Sequence, residues 1–520
     1  MSAGHGSYRS GFLFGILSFL AVAAFGVVST IATARIYGVR VIGEFALASA
    51  PVTALWVLST AKEQAALIRE ITGLPARHPR VTELFAAVFT FSSGLTLLMS
   101  VAVGAISVAV FRGPLHHPEL VLPTCVNLAG YALVTNTGWN LDSVFSAFVA
   151  GRELFWVRLH ETLSFLAIAV AVGLGWHSIW GLVVATIGGS LTALVHRAVL
   201  VRRFVSPRLG PGGYRRGLKA LPDLLRFGLK ITPGAVAQGV SQQAGVWAIG
   251  SIAPVALVGA YSRAQTVPDR LQQVNFRIVE MLYPTLVSRH SRGDGEGFDR
   301  ALVDTARYAL AGMLLIAAVL AGAAHGVLGL FGPGFGRAAP AFALLIGYPA
   351  LACGTLVQTQ ALWALDRPGM TSVTALARLV CTLTLTIVLT PAIGVAGPAI
   401  ALVAGFLVDL AWKSALLRPH LSRPLSAIWP RRERLALCLA YAAGFGAAHA
   451  VDAHSAGLLG LLTSLLAGTL SYVLALALGG GVGPRDRERL GELAAAASRW
   501  RAQRRSAPAA ALGGARQSPG

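Results

Sequence analysis

The chain is poor in charged residues, and acidic residues are the scarcer kind. Charged residues make up 12% of its 520 positions, with 22 Asp and Glu against 43 Lys and Arg, whereas hydrophobic residues make up 55%. The mean hydropathy is +0.65. A soluble domain of this length usually carries about twice this share of charged residues. The composition therefore predicts an integral membrane protein.

Several chemical signatures are also missing. No G-x-x-x-x-G-K-[ST] phosphate loop occurs, which argues against ATP hydrolysis by the chain. His116 and His117 are adjacent, so they do not share a helical face, and we interpret them as surface residues rather than metal ligands. The few cysteines lie in apolar segments without the spacing of metal ligands and are interpreted as small core residues. They are Cys125, Cys353, Cys381 and Cys438. We expect no cofactor and no metal.

What is present is a long series of apolar segments. About fourteen are long enough to cross a bilayer, and Lys and Arg concentrate in alternate loops, which predicts that both termini are cytoplasmic. The net charge of +21 is explained by these loops, so nucleic acid is not an expected partner. The predicted fold is all-α, with two six-helix lobes in a V and a further helix pair. The predicted parts are an N-terminal six-helix lobe (1–205), a cytoplasmic basic linker (206–225), a C-terminal six-helix lobe (226–420), a basic linker with two more spans (421–481) and a basic, disordered tail (482–520).

One segment, Tyr261–Arg289, combines helical periodicity with charge. Its polar residues recur every three or four positions, which places them on one helical face, with Asp269 at the margin of that face. These residues are Arg263, Thr266, Arg270, Gln273, Arg277 and Glu280. The opposite face is apolar, and includes Ala264, Val267, Leu271, Val274, Ile278 and Leu282. A helix from Arg263 to Glu280 rises about 25 Å, most of a bilayer core of about 30 Å.

This amphipathic helix either lies on the membrane surface or crosses the membrane. The preceding apolar segment, Phe227–Ala253, follows a basic run, and another basic stretch follows Arg289. If positively charged loops stay in the cytoplasm, the chain must return across the membrane between Ala253 and Arg289. Arginines that face lipid are costly. The polar face of this helix, which we call the polar stripe, is therefore predicted to face a water-filled cavity or a charged partner inside the bundle.

A short internal repeat supports the two-lobe prediction. VIGEFALASAP and LVGAYSRAQTVP share an apolar residue, a glycine, an aromatic residue and an alanine. The matched residues are Gly43, Phe45 and Ala48 in the first copy and Gly259, Tyr261 and Ala264 in the second. Each copy opens the second predicted span of its lobe. Six spans per lobe is an even number, so the two lobes are expected to have the same orientation in the membrane.

Several turn motifs resemble those of a known family. GAYSRAQTVP, LYPTLVSR, LFGPGF and TPAIGVAGPAIA occur in the order and spacing found in polysaccharide flippases of the multidrug/oligosaccharidyl-lipid/polysaccharide superfamily, relatives of the lipid II flippases. The resemblance covers most of residues 11–420. The turn after the first span departs from the family pattern, with Val39, Arg40 and Val41. The resemblance implies transport of a polyprenyl-diphosphate-linked sugar from the inner to the outer leaflet of the cytoplasmic membrane, by alternating access and without enzymatic activity.

The residues suggest roles within such a transporter. Guanidinium groups match phosphate oxygens with bidentate hydrogen bonds, so we expect substrate contacts from Arg263, Arg270 and Arg277, with Thr266 and Gln273. Alternatively, neighbouring carboxylates neutralise the arginines. Lys230 and Arg378 lie near enough to helix ends for their charges to reach the membrane surface, and we expect this of both. Candidate residues for proton or sodium coupling are Asp142, Glu161, Asp269, Glu280 and Asp409.

Two rival functions stay open at this point. A cation-coupled multidrug exporter would share the fold, but its pocket should be acidic and aromatic. A membrane glycosyltransferase or ligase would need a sizeable loop with catalytic carboxylates or histidine, whereas the outer loops are short and the longest inner ones basic. The expected partners are the lipid-linked glycan, membrane lipids and a glycan polymerase or glycosyltransferases.

Overall fold

The computed structural model describes residues 8–59, 63–148, 150–206, 210–229, 232–280, 282–422, 430–455 and 457–481. Side chains are described from residue 24 onward, except those of residues 57, 65, 227, 228 and 277–280. The predicted tail (482–520) and Lys230 therefore lie outside the described residues, as do the side chains of Arg277, Ile278 and Glu280. The described chain is helical and contains no strand, which confirms the all-α membrane fold.

The helices are numbered in chain order. They are α1 (Tyr8–Leu58), α2 (Glu63–Ile71), α3 (Pro79–Arg112), α4 (Val121–Gly130), α5 (Asn136–Ala147), α6 (Gly151–Gly173), α7 (Ile179–Val201), α8 (Pro211–Leu229), α9 (Thr232–Ile252), α10 (Val255–Glu280), α11 (Leu282–Ser291), α12 (Gly295–Gly322), α13 (Ala324–Gly329), α14 (Ala339–Leu345), α15 (Tyr348–Ala364), α16 (Pro368–Ile393), α17 (Ala396–Leu417), α18 (Arg431–Asp452) and α19 (Gly457–Leu478).

The helices correspond well to the predicted spans. Within the described residues, ten helical segments are long and apolar enough to cross a membrane. α1 contains the first two predicted spans, divided at Gly38, whose backbone (φ 74°, ψ 167°) is strained for other residues. The fourth predicted span is formed by α4 and α5, joined by a π-helical turn at Tyr131–Thr135. α10 is not among the ten, because its polar stripe lowers its hydropathy.

The second half of α1 packs closely on α10 through the two glycines of the sequence repeat. A Cβ atom on Gly43 would lie 2.0 Å from the Val255 carbonyl oxygen, and one on Gly259 would lie 2.0 Å from the Val39 carbonyl oxygen. Val39 and Val255 are separated by the same number of residues as Gly43 and Gly259. The two contacts are therefore equivalent under the repeat, which places a local two-fold axis between these helices.

The offset in sequence between Gly43 and Gly259 also relates two further helix pairs, α6 with α7 and α16 with α17. α6 packs on α7 where Gly189 meets the backbone of Phe165, with 3.0 Å between a built Cβ and the Phe165 Cα. α16 packs on α17 where a Cβ on Gly405 would lie 3.2 Å from the Arg378 carbonyl oxygen. Gly189 and Gly405 are offset by the repeat spacing. The structural repeat thus extends beyond the short sequence match. The division into lobes at 205 and 226 stays a prediction.

Two additions flank these helices. α8 packs on α3, where Arg216 forms an ion pair with the buried Glu83 and Gly217 lies against the Glu83 carbonyl group. α18 and α19 pack on each other and on α12. The Tyr472 hydroxyl donates a hydrogen bond of 2.8 Å to the Ala311 carbonyl oxygen. Neither addition contacts the polar stripe through these interactions.

Candidate anion-binding site

Side-chain hydrogen bonds set the rotation of α10 in the bundle. The Gln265 amide donates to the carbonyl oxygen of Gln242 in α9 at 2.8 Å. The Asn275 amide donates to the carbonyl oxygen of Pro349 in α15 at 2.7 Å and to the Gln272 side chain at 2.9 Å. These three amide side chains of α10 are buried. The helix is therefore fixed against α9 and α15, and Arg270 and Gln273 remain exposed.

Arg263 and Arg270 are not part of any ion pair in the described chain. Arg270 follows Arg263 by seven positions, a rise of about 10 Å along the helix. Neither guanidinium forms an ion pair or hydrogen bond with another described residue, and Nε of Arg263 is buried without a hydrogen-bond partner. Arg270 lies against the first half of α1, where a Cβ on Gly26 would be 3.9 Å from its Cζ. A cation without a partner inside a membrane protein is costly, so these two arginines are suited to an anionic ligand.

Asp269 forms an ion pair with neither arginine, although it lies close enough to Arg270 to interact with it electrostatically. Its Oδ1 accepts a hydrogen bond from the Tyr348 hydroxyl group of α15. Tyr348 is fully buried, and its ring stacks on that of Phe406 with 5.4 Å between centroids. The acid that is adjacent to Arg270 in sequence is therefore bound to a different helix, and the described part of the site keeps a net positive charge.

Thr266 and Gln273, the other described residues of the polar stripe, form no hydrogen bond with another described helix that would indicate a role. The Thr266 hydroxyl donates to the Ser262 carbonyl oxygen of its own helix at 2.9 Å, whereas Gln273 is exposed. The sequence analysis missed the third face of α10, formed by Gln265, Gln272 and Asn275. Their seven- and three-residue spacing is itself a helical pattern and could have revealed that face.

Two of the candidate coupling acids, Asp142 and Glu161, belong to one buried cluster of ion pairs. Arg197, which is only 1% exposed, donates from Nε to Asp142 at 2.8 Å and from Nη2 to Glu161 at 2.8 Å. Arg158 donates to Asp142 at 2.7 Å. Two acids and two arginines balance in charge. The cluster joins α5, α6 and α7, and we call it the N-terminal charge cluster.

The other candidate acid, Asp409, lies between two cations. Arg378 and Lys413 each approach its carboxylate to 3.0 Å, and all three side chains are buried. Asp409 thus pairs with both cations, and the expectation that Arg378 reaches the membrane surface is wrong. Its guanidinium is held by Asp409 and lies over the ring of Phe406, 4.7 Å from the centroid. Lys413 occupies the repeat position of Arg197.

The chain matches the model of a known protein family. The model of a family described as polysaccharide biosynthesis protein matches residues 9–290, more than half of the chain. The chain belongs to this family. The resemblance inferred from the turn motifs is thereby confirmed. No curated protein matches the chain.

Solved structures with the same fold include transporters of two kinds. The lipid II flippase MurJ, in an inward closed conformation, is 12% identical with a TM-score of 0.67, over 90% of this chain and 99% of that one. An inward-facing multidrug resistance MATE transporter of the MOP superfamily is 14% identical with a TM-score of 0.57, over 77% and 95%. A MOP superfamily transporter from Pyrococcus furiosus is 14% identical with a TM-score of 0.54, over 79% and 94%. At these identities the likeness shows the fold, which both flippases and drug transporters use.

Proposed function

We propose that this protein is a flippase that moves a polyprenyl-diphosphate-linked oligosaccharide, or a related cell-envelope glycolipid, across the cytoplasmic membrane. The observation that supports this function best is that Arg263 and Arg270 on α10 form no ion pair with any described residue. The family, whose description is polysaccharide biosynthesis, supports a glycan substrate. The likeness to a lipid II flippase supports a lipid-linked one.

The diphosphate is the part of such a substrate whose transfer into the membrane interior costs the most free energy. It carries negative charge, and a guanidinium group binds phosphate oxygens through two parallel hydrogen bonds. In the proposal, Arg270 and Arg263 bind the diphosphate in turn, since they are about 10 Å apart along α10. Arg277, Thr266 and Gln273 are proposed to extend the site.

The same observation weighs against a multidrug exporter for cations. A cationic drug would meet two arginines that form no ion pair with a described residue, and like charges in a low-dielectric site repel strongly. For the P. furiosus transporter, the reverse polarity of the binding pocket suggests a different function on this fold. Pocket polarity is thus the relevant property, and here it favours an anionic substrate. A glycosyltransferase is less favoured, because the shared fold is that of transporters.

We also propose alternating access between the two six-helix lobes, from the inner to the outer leaflet, with both termini cytoplasmic. The paired glycines Gly43 and Gly259 form a compact contact about which the lobes could rock. Ion coupling is proposed for one of the acids Asp142, Glu161, Asp269, Glu280 and Asp409. A glycan polymerase or glycosyltransferases are the proposed protein partners.

Substitutions of Arg270 test the substrate contact. Arg270→Lys keeps the charge but loses the planar fork, so we expect part of the transport of a lipid-linked oligosaccharide to remain. Arg270→Gln should abolish most of it while protein abundance is unchanged, because Arg270 forms no ion pair or hydrogen bond with a described residue. Arg40→Gln is the matched control, since the Arg40 side chain is 82% exposed and forms an ion pair with Glu44 one turn away. Normal transport by Arg270→Gln would refute the proposed site.

The alternative role of Arg270 is structural, as a charge partner of Asp269 or Glu280. In that case Arg270→Gln would leave a buried carboxylate unpaired, at a cost of about 3–5 kcal/mol, and the protein would accumulate poorly. Combining it with Glu280→Gln would then restore abundance. Poor accumulation with such a rescue would contradict the substrate contact and support the structural role.

A further inference from the structure

The hydrogen bond between Tyr348 and Asp269 crosses from α15 to α10 and has a consequence for the arginines. Tyr348 is 0% exposed, so neither water nor a substrate contacts it. Its ring is almost parallel to that of Phe406, at an interplanar angle of 14°. Phe406 is in turn covered by the Arg378 guanidinium, which Asp409 holds. The hydroxyl group of Tyr348 is therefore fixed in position before any substrate arrives.

Without that hydroxyl group, Asp269 would have a competing partner next to it. Adjacent residues on a helix of this protein do pair, since Arg69 and Glu70 in α2 form an ion pair of 3.1 Å. Asp269 and Arg270 are also adjacent, in the opposite order, and they lie close enough to interact electrostatically. The Arg270 guanidinium forms no ion pair or hydrogen bond with a described residue. A buried carboxylate that loses a hydrogen bond is expected to pair with the nearest available donor, because an unpaired buried carboxylate costs free energy.

We infer that Tyr348 is a positioning residue that holds the Asp269 carboxylate away from Arg270 and so keeps this guanidinium free for an anionic substrate. The inference rests on the proposed function, because it assigns Arg270 to the diphosphate. Tyr348 itself acts only through Asp269. The arrangement explains why an acid can lie within a site for an anion without neutralising it.

Equilibrium binding tests the inference without depending on ion coupling. The purified full-length protein in lipid nanodiscs is titrated with a fluorescent undecaprenyl diphosphate carrying one N-acetylglucosamine. Tyr348→Phe keeps the ring and its stacking but removes the hydroxyl group. We expect its Kd to rise about tenfold, equivalent to about 1.4 kcal/mol, as Asp269 turns to Arg270. Tyr472→Phe is the matched control, since it removes another buried hydroxyl group, far from the stripe, and should leave Kd unchanged.

The decisive variant is Tyr348→Phe combined with Asp269→Asn. The amide cannot form an ion pair with Arg270, so we expect Kd to return to within about twofold of the original value. A purely structural role of the hydroxyl group would not be rescued by this change. Unchanged binding by Tyr348→Phe, or a double variant as weak as Tyr348→Phe, would overturn the inference.

Arg270→Gln separates this inference from the proposed function. If Arg270→Gln binds the probe as tightly as the unchanged protein, the proposed anion site is wrong and the inference fails with it. If Arg270→Gln binds weakly while Tyr348→Phe binds normally, the anion site stands and only the role of Tyr348 is wrong.

Discussion

At the scale of single residues, the charged side chains within the membrane-spanning helices are of two kinds, those with and those without an ion-pair partner among the described residues. Asp142, Glu161, Arg158 and Arg197 satisfy one another, and Asp409 is shared by two cations. Arg263 and Arg270 have no such partners among the described residues. Charges of the first kind hold helices together, whereas charges of the second kind are the ones that we propose bind an anionic ligand.

This distinction predicts opposite effects of removing an arginine. Arg197→Gln leaves Asp142 and Glu161 without their main buried partner, so we expect it to destabilise the protein by roughly 3–5 kcal/mol. Arg263→Gln removes a cation that no described residue pairs, so we expect stability to be unchanged or slightly higher. Thermal unfolding of the two purified variants checks this. Equal destabilisation would show that Arg263 is also a structural residue.

At the scale of helices, close approach depends on glycine where the two copies of the repeat meet. Gly43 and Gly259 let the second half of α1 touch α10 backbone to backbone. A methyl group on either residue would overlap a carbonyl oxygen and push the helices apart. Overpacking of this kind typically costs about 1–3 kcal/mol.

We therefore expect Gly43→Ala and Gly259→Ala to lower both thermal stability and transport. Gly94→Ala in α3 and Gly312→Ala in α12 are matched controls, because a Cβ at either position meets no atom within 4 Å. In those helices alanine should be neutral or slightly stabilising. Similar losses from all four changes would contradict a specific role for the glycine contact.

The sequence predicts the helices better than their partners. Hydropathy and charge placement predict the spans, and spacing predicts that Arg263 and Arg270 share a face. The pairing of Asp269 with Tyr348 could not be predicted, because it depends on the rotation of α10 against α15, which follows from many packing contacts. Arg378 shows the same limit. Its position near a helix end suggested the membrane surface, yet Asp409 on α17 holds it inside.

At the scale of the whole molecule, the account requires that water reach the exposed face of α10 in the middle of the bundle. Gln272 and Gln273 are adjacent, but the first is buried and the second exposed. In a variant whose four cysteines are serine, Gln273→Cys should react with a water-soluble thiol reagent and Gln272→Cys should not. A polyprenyl-diphosphate glycolipid should slow the reaction. Equal reactivity would show that α10 is rotated differently.

The central claim is that this protein moves an anionic glycolipid between leaflets. The most direct measurement is the rate at which a fluorescent polyprenyl-diphosphate-linked sugar leaves the inner leaflet of liposomes that contain the protein, compared with protein-free liposomes and with the Arg270→Gln variant. We predict rapid movement only with the unchanged protein, and no inhibition by a cationic drug. Movement that equals the protein-free rate, or export of the cationic drug instead, would contradict the account.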